Sequence, residues 1–125
     1  MKLSRVIELV EGRLLTPNVD LAQEVEGGCG ADLMSDVLSS PHAISLLLTG
    51  LCNPQVVRTA VMADISAIVL VRGKTPPAET IKLAEAEDIP LITTRYGMFE
   101  SCGRLYRAGL PSLDENTPSF RDCDD

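Results

Sequence analysis

The sequence predicts an α/β fold: a small single domain with a mainly parallel sheet built from βαβ units and helices packed on it. Three observations point there. Continuous apolar runs at residues 43–49, 67–71 and 89–93 alternate with stretches of helical periodicity. Such runs mark strands buried on both faces, and their short links imply right-handed βαβ units. The chain has 125 residues, which sets one domain as the expectation and lets folding bury about two thirds of the unfolded surface. Apolar residues make up 45% and charged residues 23%, a globular balance. With no Trp, two Tyr and two Phe, the core must be aliphatic.

Leu3, Val6, Ile7 and Val10 recur at helical spacing, predicting a short amphipathic helix over 3–11 that stops at Gly12. Leu14-Leu15 begins an extended piece, and Thr16-Pro17-Asn18 is turn chemistry. Leu21, Gln23 and Val25 alternate with Ala22 and Glu24, which predicts a second short strand. Gly27-Gly28-Cys29-Gly30 reads as a permissive loop. Asp32 is expected to cap a helix over 33–39. After the strand at 43–49, Asn53 is an N-cap with Pro54 at the first helical position. Val56, Val57, Ala60 and Val61 mark that helix's buried face. After the strand at 67–71, Thr75 is read as the cap of a helix over 77–87 opened by Pro76 and Pro77. The strand at 89–93 follows. Met98, Phe99, Cys102, Leu105 and Tyr106 then form a helical stripe that ends near Gly109.

The last segment differs. Residues 111–125 hold two prolines and no periodicity, and their five acids and one base give −4 of the chain's −7. This predicts an acidic, disordered tail outside a domain spanning residues 1–110.

Charge narrows the function classes. A net charge of −7 and an isoelectric point near 4.6 argue against nucleic-acid phosphates as partners and against an anionic membrane surface. The runs at 44–48 and 67–71 are too short to cross a bilayer. Glu8 interrupts the apolar pattern of residues 1–10, so no signal peptide is read there and a cytoplasmic location is expected. Cys29, Cys52, Cys102 and Cys123 are scattered with no C-x-x-C pair, unlike a disulfide framework, a zinc site or an iron–sulfur site. No metal or cofactor is expected.

No catalytic motif is visible. G-x-x-x-x-G-K-[ST] and G-x-G-x-x-G are both missing, so no phosphate loop or dinucleotide fingerprint is read. His42 lacks an orienting partner and reads as a surface or structural residue. Cys52 lies one residue before an N-cap, where a thiol is activated by the helix end, yet a free Cys is more often a small apolar residue. Asp32 and Asp36 read as a cap and a solvated residue. An enzyme is not expected.

The strongest constellation is geometric. In an open parallel sheet, ligands bind beyond the carboxyl ends of the strands. Three strands end in small or polar residues: Thr49 and Gly50 with Asn53, Arg72-Gly73-Lys74 with Thr75, and Thr93-Thr94-Arg95. Each precedes a helix start, whose free N–H groups and positive dipole end suit an anion. The ligand-binding candidates are therefore Thr49, Gly50, Asn53, Arg72, Gly73, Lys74, Thr75, Thr93 and Thr94. Two readings stand side by side: an anion crevice, or helix caps and turns alone, since Asn53, Thr75 and Thr94 are cap-forming types and Gly50 and Gly73 ease turns.

Over residues 3–110 the chain resembles a DRTGG domain. The resemblance is carried by Glu26-Gly27-Gly28 to Asp32 and on to Leu38, by residues 67–73, by the Ala-Glu-x-x-x-Ile-Pro-Leu pattern from Ala84 to Leu91, and by Phe99-Glu100 to Gly103-Arg104-Leu105-Tyr106. The family's fold is similar to the N-terminal domain of HPr kinase/phosphorylase. Departures exist: where the family has Gly-Asp-Arg the chain reads Gly50-Leu51-Cys52-Asn53, and of Thr-Gly-Gly only Gly73 remains. Contacts made by the missing Asp and Arg do not carry over. The resemblance implies a regulatory or interaction module, commonly dimeric, with no established reaction. The expected function is thus a non-catalytic regulatory module that self-associates as a homodimer and binds a small anionic ligand such as a nucleotide. The alternative is a pure protein–protein interaction subunit with no small-molecule ligand.

Overall fold

A computed structural model describes residues 1–39, 44–113, 119, 120, 122 and 123. His42, the start of the strand expected at residue 43, and most charged residues of the tail lie outside the described residues. Five strands form one sheet: β1 (Arg13–Leu14), β2 (Gly28–Gly30), β3 (Leu46–Thr49), β4 (Ala67–Leu70) and β5 (Leu91–Thr93). The helices are α1 (Leu3–Leu9), α2 (Met34–Leu38), α3 (Pro54–Met62), α4 (Ala78–Ala86) and α5 (Met98–Arg107). Strand order is β1-β5-β4-β3-β2. β2 through β5 run parallel and β1 pairs antiparallel with β5. The α/β fold with a mainly parallel sheet is the one expected from the sequence.

Both faces of the sheet are covered. Leu47, Ile68, Leu70 and Leu91 point into one core with Val37 of α2, Val56, Val57 and Ala60 of α3 and Ala84 of α4. Leu46, Leu48, Val69 and Ile92 point the other way, onto Leu3 and Val6 of α1 and Leu105 of α5. This alternation is why β3 and β4 read as unbroken apolar runs, since every side chain has a buried destination. The chain from β2 to β5 winds steadily in one direction with α2, α3 and α4 on one face. After β5 it changes sides, and α5 crosses the opposite face beside α1.

Two local expectations fail. Residues 21–25 form no strand. Only an isolated bridge joins Lys2 to Glu24, and the segment is fastened to the start of α1 by Leu3 N–H to the Gln23 carbonyl (2.9 Å) and Val25 N–H to the Met1 carbonyl (2.6 Å). With a helix start rather than a strand as neighbour, no ladder can extend. Conversely, the glycine-rich stretch read as a loop is strand β2. A Cβ on Gly30 would stand 2.9 Å from Met98 Sδ and 3.0 Å from Cys102 Sγ, so glycine there lets α5 lie against the strand.

Beyond α5 the chain turns back to β2. Gly28 N–H donates to the Pro111 carbonyl and Leu113 N–H to the Gly28 carbonyl, each at 3.0 Å. A Cβ on Gly27 would collide with Leu113 at 2.5 Å. Residues 111–113 therefore cover the β2 edge, which would otherwise present unpaired backbone groups.

Candidate functional site

The change of sides after β5 creates a crevice. The loop leaving β4 runs to α4 on one face, and the loop leaving β5 runs to α5 on the other, so neighbouring loops diverge. Divergence of adjacent loops is the condition that opens a ligand crevice at the carboxyl ends of an open sheet. A groove of about 150 Å³ lies there, lined by Gly73, Lys74 and Thr75 from the β4 side, Thr93, Thr94 and Arg95 from the β5 side, and Glu11 and Arg13 from the segment entering β1. Five of the nine expected site residues thus share one groove.

Its charge is positive. Glu11 is already engaged: it accepts the Tyr96 hydroxyl proton at 2.5 Å and lies 3.6 Å from the Arg104 guanidinium. That hydrogen bond to an anion holds the Tyr96 hydroxyl above its ordinary pKa. Arg104 also lies over the Tyr96 ring, 4.1 Å from its centroid. Arg13, Lys74 and Arg95 form none of the ion pairs found among the described residues. Lys74 is anchored instead by donating from Nζ to the Gly50 carbonyl at 2.7 Å. Thr93 Oγ1 donates to the Lys74 carbonyl at 2.8 Å, which fixes the groove wall.

A second cluster gathers Thr49, Gly50 and Arg72 around a residue that the sequence misplaced. Asp32 does not cap α2, whose N-cap is Leu33 with no side-chain bond. Its Oδ1 accepts from Gly50 N–H at 2.7 Å and from Thr49 Oγ1 at 3.2 Å. Its Oδ2 lies 3.8 Å from Arg72 Nη1. The Gly50 amide, with help from Thr49, Arg72 and Lys74, holds the Asp32 carboxyl below its ordinary pKa despite partial desolvation, so it is anionic at neutral pH. Arg72 adopts a left-handed backbone, φ 71°, a conformation uncommon for non-glycine residues and worth a functional question. Its guanidinium lies over Gly50, where a Cβ would stand 2.3 Å from Nη1.

The capping expectations need correction. Asn53 does occupy the N-cap of α3 with Pro54 after it, but its side chain makes no cap bond, and it lines neither cluster. Thr75 precedes the true N-cap of α4, Pro77. Thr94 precedes the N-cap of α5, Gly97. Thr94 is buried and donates to the Val10 carbonyl at 2.6 Å. Nor is every amide at this edge available. Thr94 N–H donates to the Leu70 carbonyl, Gly73 N–H to Thr94 and Arg72 N–H to Tyr96. What this edge offers an anion is therefore side-chain cations more than backbone donors. Sequence reasoning missed Glu11 and Arg13 because nothing local shows that β1 pairs with a strand far along the chain.

A larger, apolar cavity of about 310 Å³ lies on the other face, between β2 and α5, with Phe99, Cys102, Leu105 and Tyr106 on its α5 wall. Leu105 is buried, whereas Phe99 is 95% and Tyr106 70% exposed. The apolar stripe of α5 is therefore split between core and surface. Among the described residues no group of His, Cys, Asp and Glu is arranged to hold a metal. No described helix is long and apolar enough to cross a membrane.

No protein-family model and no curated protein matches the chain. Among solved structures it is similar to the CBS and DRTGG domains of the regulatory region of Clostridium perfringens pyrophosphatase, complexed with activator, diadenosine tetraphosphate. The TM-score is 0.64 at 20% identity, covering 90% of this chain and 48% of that one. The chain thus spans about half of that regulatory region, and at this identity the shared property is the fold.

Proposed function

We propose that the chain is a non-catalytic regulatory module of the DRTGG type that binds a small anionic ligand and self-associates. The carrying observation is the strand-end groove, lined by Arg13, Lys74 and Arg95 against one acid, Glu11, that is already engaged by Tyr96 and Arg104, on a chain of net charge −7. A phosphate-bearing ligand such as a nucleotide suits this chemistry, because charge-assisted hydrogen bonds are the strong ones. The similarity to a regulatory region complexed with a nucleotide activator supports the same class. Residues 1–110 carry the module in this reading, and residues 111–125 form its acidic tail.

Thermal denaturation with inorganic pyrophosphate and with nucleoside mono- and diphosphates tests the ligand. Saturation at 100 times the dissociation constant stabilises the native state by about 2.7 kcal/mol. Replacing Lys74 and Arg95 together with Ala should abolish the shift. No shift with any of these anions would refute the groove.

The second reading is a protein-interaction subunit without a ligand. The observation favouring it is the exposed Phe99 and Tyr106 beside the apolar cavity, since contiguous apolar surface of this kind marks interaction sites. It also supports a homodimer. With two copies of α5 antiparallel across a two-fold axis near Gly103, Phe99 faces Tyr106 and Glu100 faces Arg107 of the other copy. Such self-complementarity is what a two-fold interface requires.

A further inference from the structure

Asp32 lies outside the lining of the strand-end groove but is tied to it through Gly50 and Lys74, and that location has a chemical consequence. It is held by the Gly50 amide at 2.7 Å and by Thr49 Oγ1 through one oxygen. The second oxygen has only the loose contact with Arg72 at 3.8 Å, longer than a hydrogen bond. About half of its side-chain surface is exposed. The carboxylate therefore has acceptor capacity facing solvent. It is linked to the groove through Lys74, which lines the groove and donates to the carbonyl of the same Gly50 whose amide holds Asp32.

We propose that Asp32 is a subsite for a vicinal diol, which makes the ligand of the strand-end groove a phosphorylated ribose rather than a bare phosphate or a carboxylic acid. This inference rests on the anion-groove reading above. A carboxylate repels phosphate, so the phosphoryl end is driven toward Lys74, Arg95 and Arg13. The neutral hydroxyls are left for Asp32, which accepts them in charge-assisted O–H···O⁻ bonds. Acidic residues at strand ends take ribose hydroxyls in this way in dinucleotide-binding sheets. From the end of β2 to the β4–β5 gap is two to three strand spacings, on the order of 10–15 Å. That span favours a nucleoside diphosphate over a monophosphate. Arg72 lies between the two ends, beside Asp32 and next to Gly73, and is positioned to meet the bridging phosphoryl group. Its left-handed backbone and the missing side chain at Gly50 are the features that keep its guanidinium there.

The test is calorimetric titration of the full chain and of Asp32→Asn with ADP, its 2′,3′-dideoxy analogue and inorganic pyrophosphate. Asn keeps an acceptor for the Gly50 amide, and thermal melts of both proteins confirm that the variant is folded. The wild type should bind ADP roughly 10- to 100-fold more tightly than the dideoxy analogue, the range for hydrogen bonds to a charged group. Asp32→Asn should erase that preference and bind pyrophosphate as well as the wild type or better. Equal affinity of the wild type for ADP and its dideoxy analogue, with pyrophosphate still bound, would overturn the diol subsite and leave the anion groove intact. Failure of all three to bind would overturn the groove and the subsite together.

Discussion

The Thr94 hydroxyl donates to the carbonyl of Val10 at 2.6 Å, joining the residue that follows β5 to the residue that follows α1. The same oxygen accepts from Tyr96 N–H at 3.2 Å, so one buried side chain sets the loop that forms the β5 wall of the groove. Thr94→Val preserves shape and removes both bonds. We expect a loss of about 1–3 kcal/mol, because a buried carbonyl and amide lose their partners. Urea unfolding checks this, and a loss below the fitting error would contradict it.

Gly50 and Arg72 give a cleaner separation of scaffold from ligand. Gly50→Ala introduces a Cβ 2.3 Å from the Arg72 guanidinium, the flexible end of a long side chain. Stability should change by less than about 1 kcal/mol, since Gly-to-Ala exchange also restricts the unfolded chain. Pyrophosphate or ADP affinity should fall as it does for Arg72→Ala, by about 1.5–3 kcal/mol. Titration of both variants compares the two losses.

Acid sensitivity follows from Asp32. Its folded pKa is depressed, so its contribution is present above the unfolded value of about 3.9 and is lost as pH falls through the folded one. Asp32→Asn should therefore cost stability at pH 7, and the cost should shrink as pH falls below the unfolded value of about 3.9. The difference should stay under about 1 kcal/mol, because the Asp32–Arg72 pair is half exposed and solvent-screened. Denaturant midpoints across this range measure it.

For self-association, the residues to change are on α5. Phe99→Ala with Tyr106→Ala should convert any dimer to a 13.4 kDa monomer without loss of thermal stability, because both side chains are exposed within one copy. Sedimentation equilibrium reads the mass. A wild type that stays monomeric at high concentration would dispose of the homodimer.

The C-terminal segment divides in two. Removing residues 114–125 should leave the melting temperature unchanged. Removing residues 111–125 should lower stability by about 1–2 kcal/mol, the scale for burying one Leu side chain, because Leu113 packs on Gly27 and the β2 edge loses its cover. Differential scanning calorimetry on the two truncations decides between them.

How much of this was legible in the sequence depends on range. β3, α3, β4, α4 and β5 were readable because each satisfies its own periodicity, and their boundaries moved by only a few residues. β2 was not, since its glycines are explained by the side chains of α5 that press on them, far along the chain. The candidate groove was legible as a location, because the carboxyl ends of parallel strands lie along one edge of the sheet. Its internal wiring was not. Asp32 looked like a cap from its neighbours in sequence, and only the meeting of β2 and β3 gives it the Gly50 amide. Thr75 and Thr94 misled for the same reason: a cap-forming residue type near a helix start has other bonds to make.

The return of α5 to the side of the sheet already occupied by α1 also governs how the molecule is made. Leu3, Val6 and Val10 are buried by Leu105 and by strands that emerge later, and β1 finds its partner only in β5. Of these helices α1 is made before the others yet is among the last to dock, while the units from β2 to β5 assemble from near neighbours. Contacts between chain ends carry the largest loop-closure entropy and slow folding. On the ribosome, α1 would stay an unshielded apolar segment until β5 and α5 had emerged, the interval in which chaperones or aggregation compete for it.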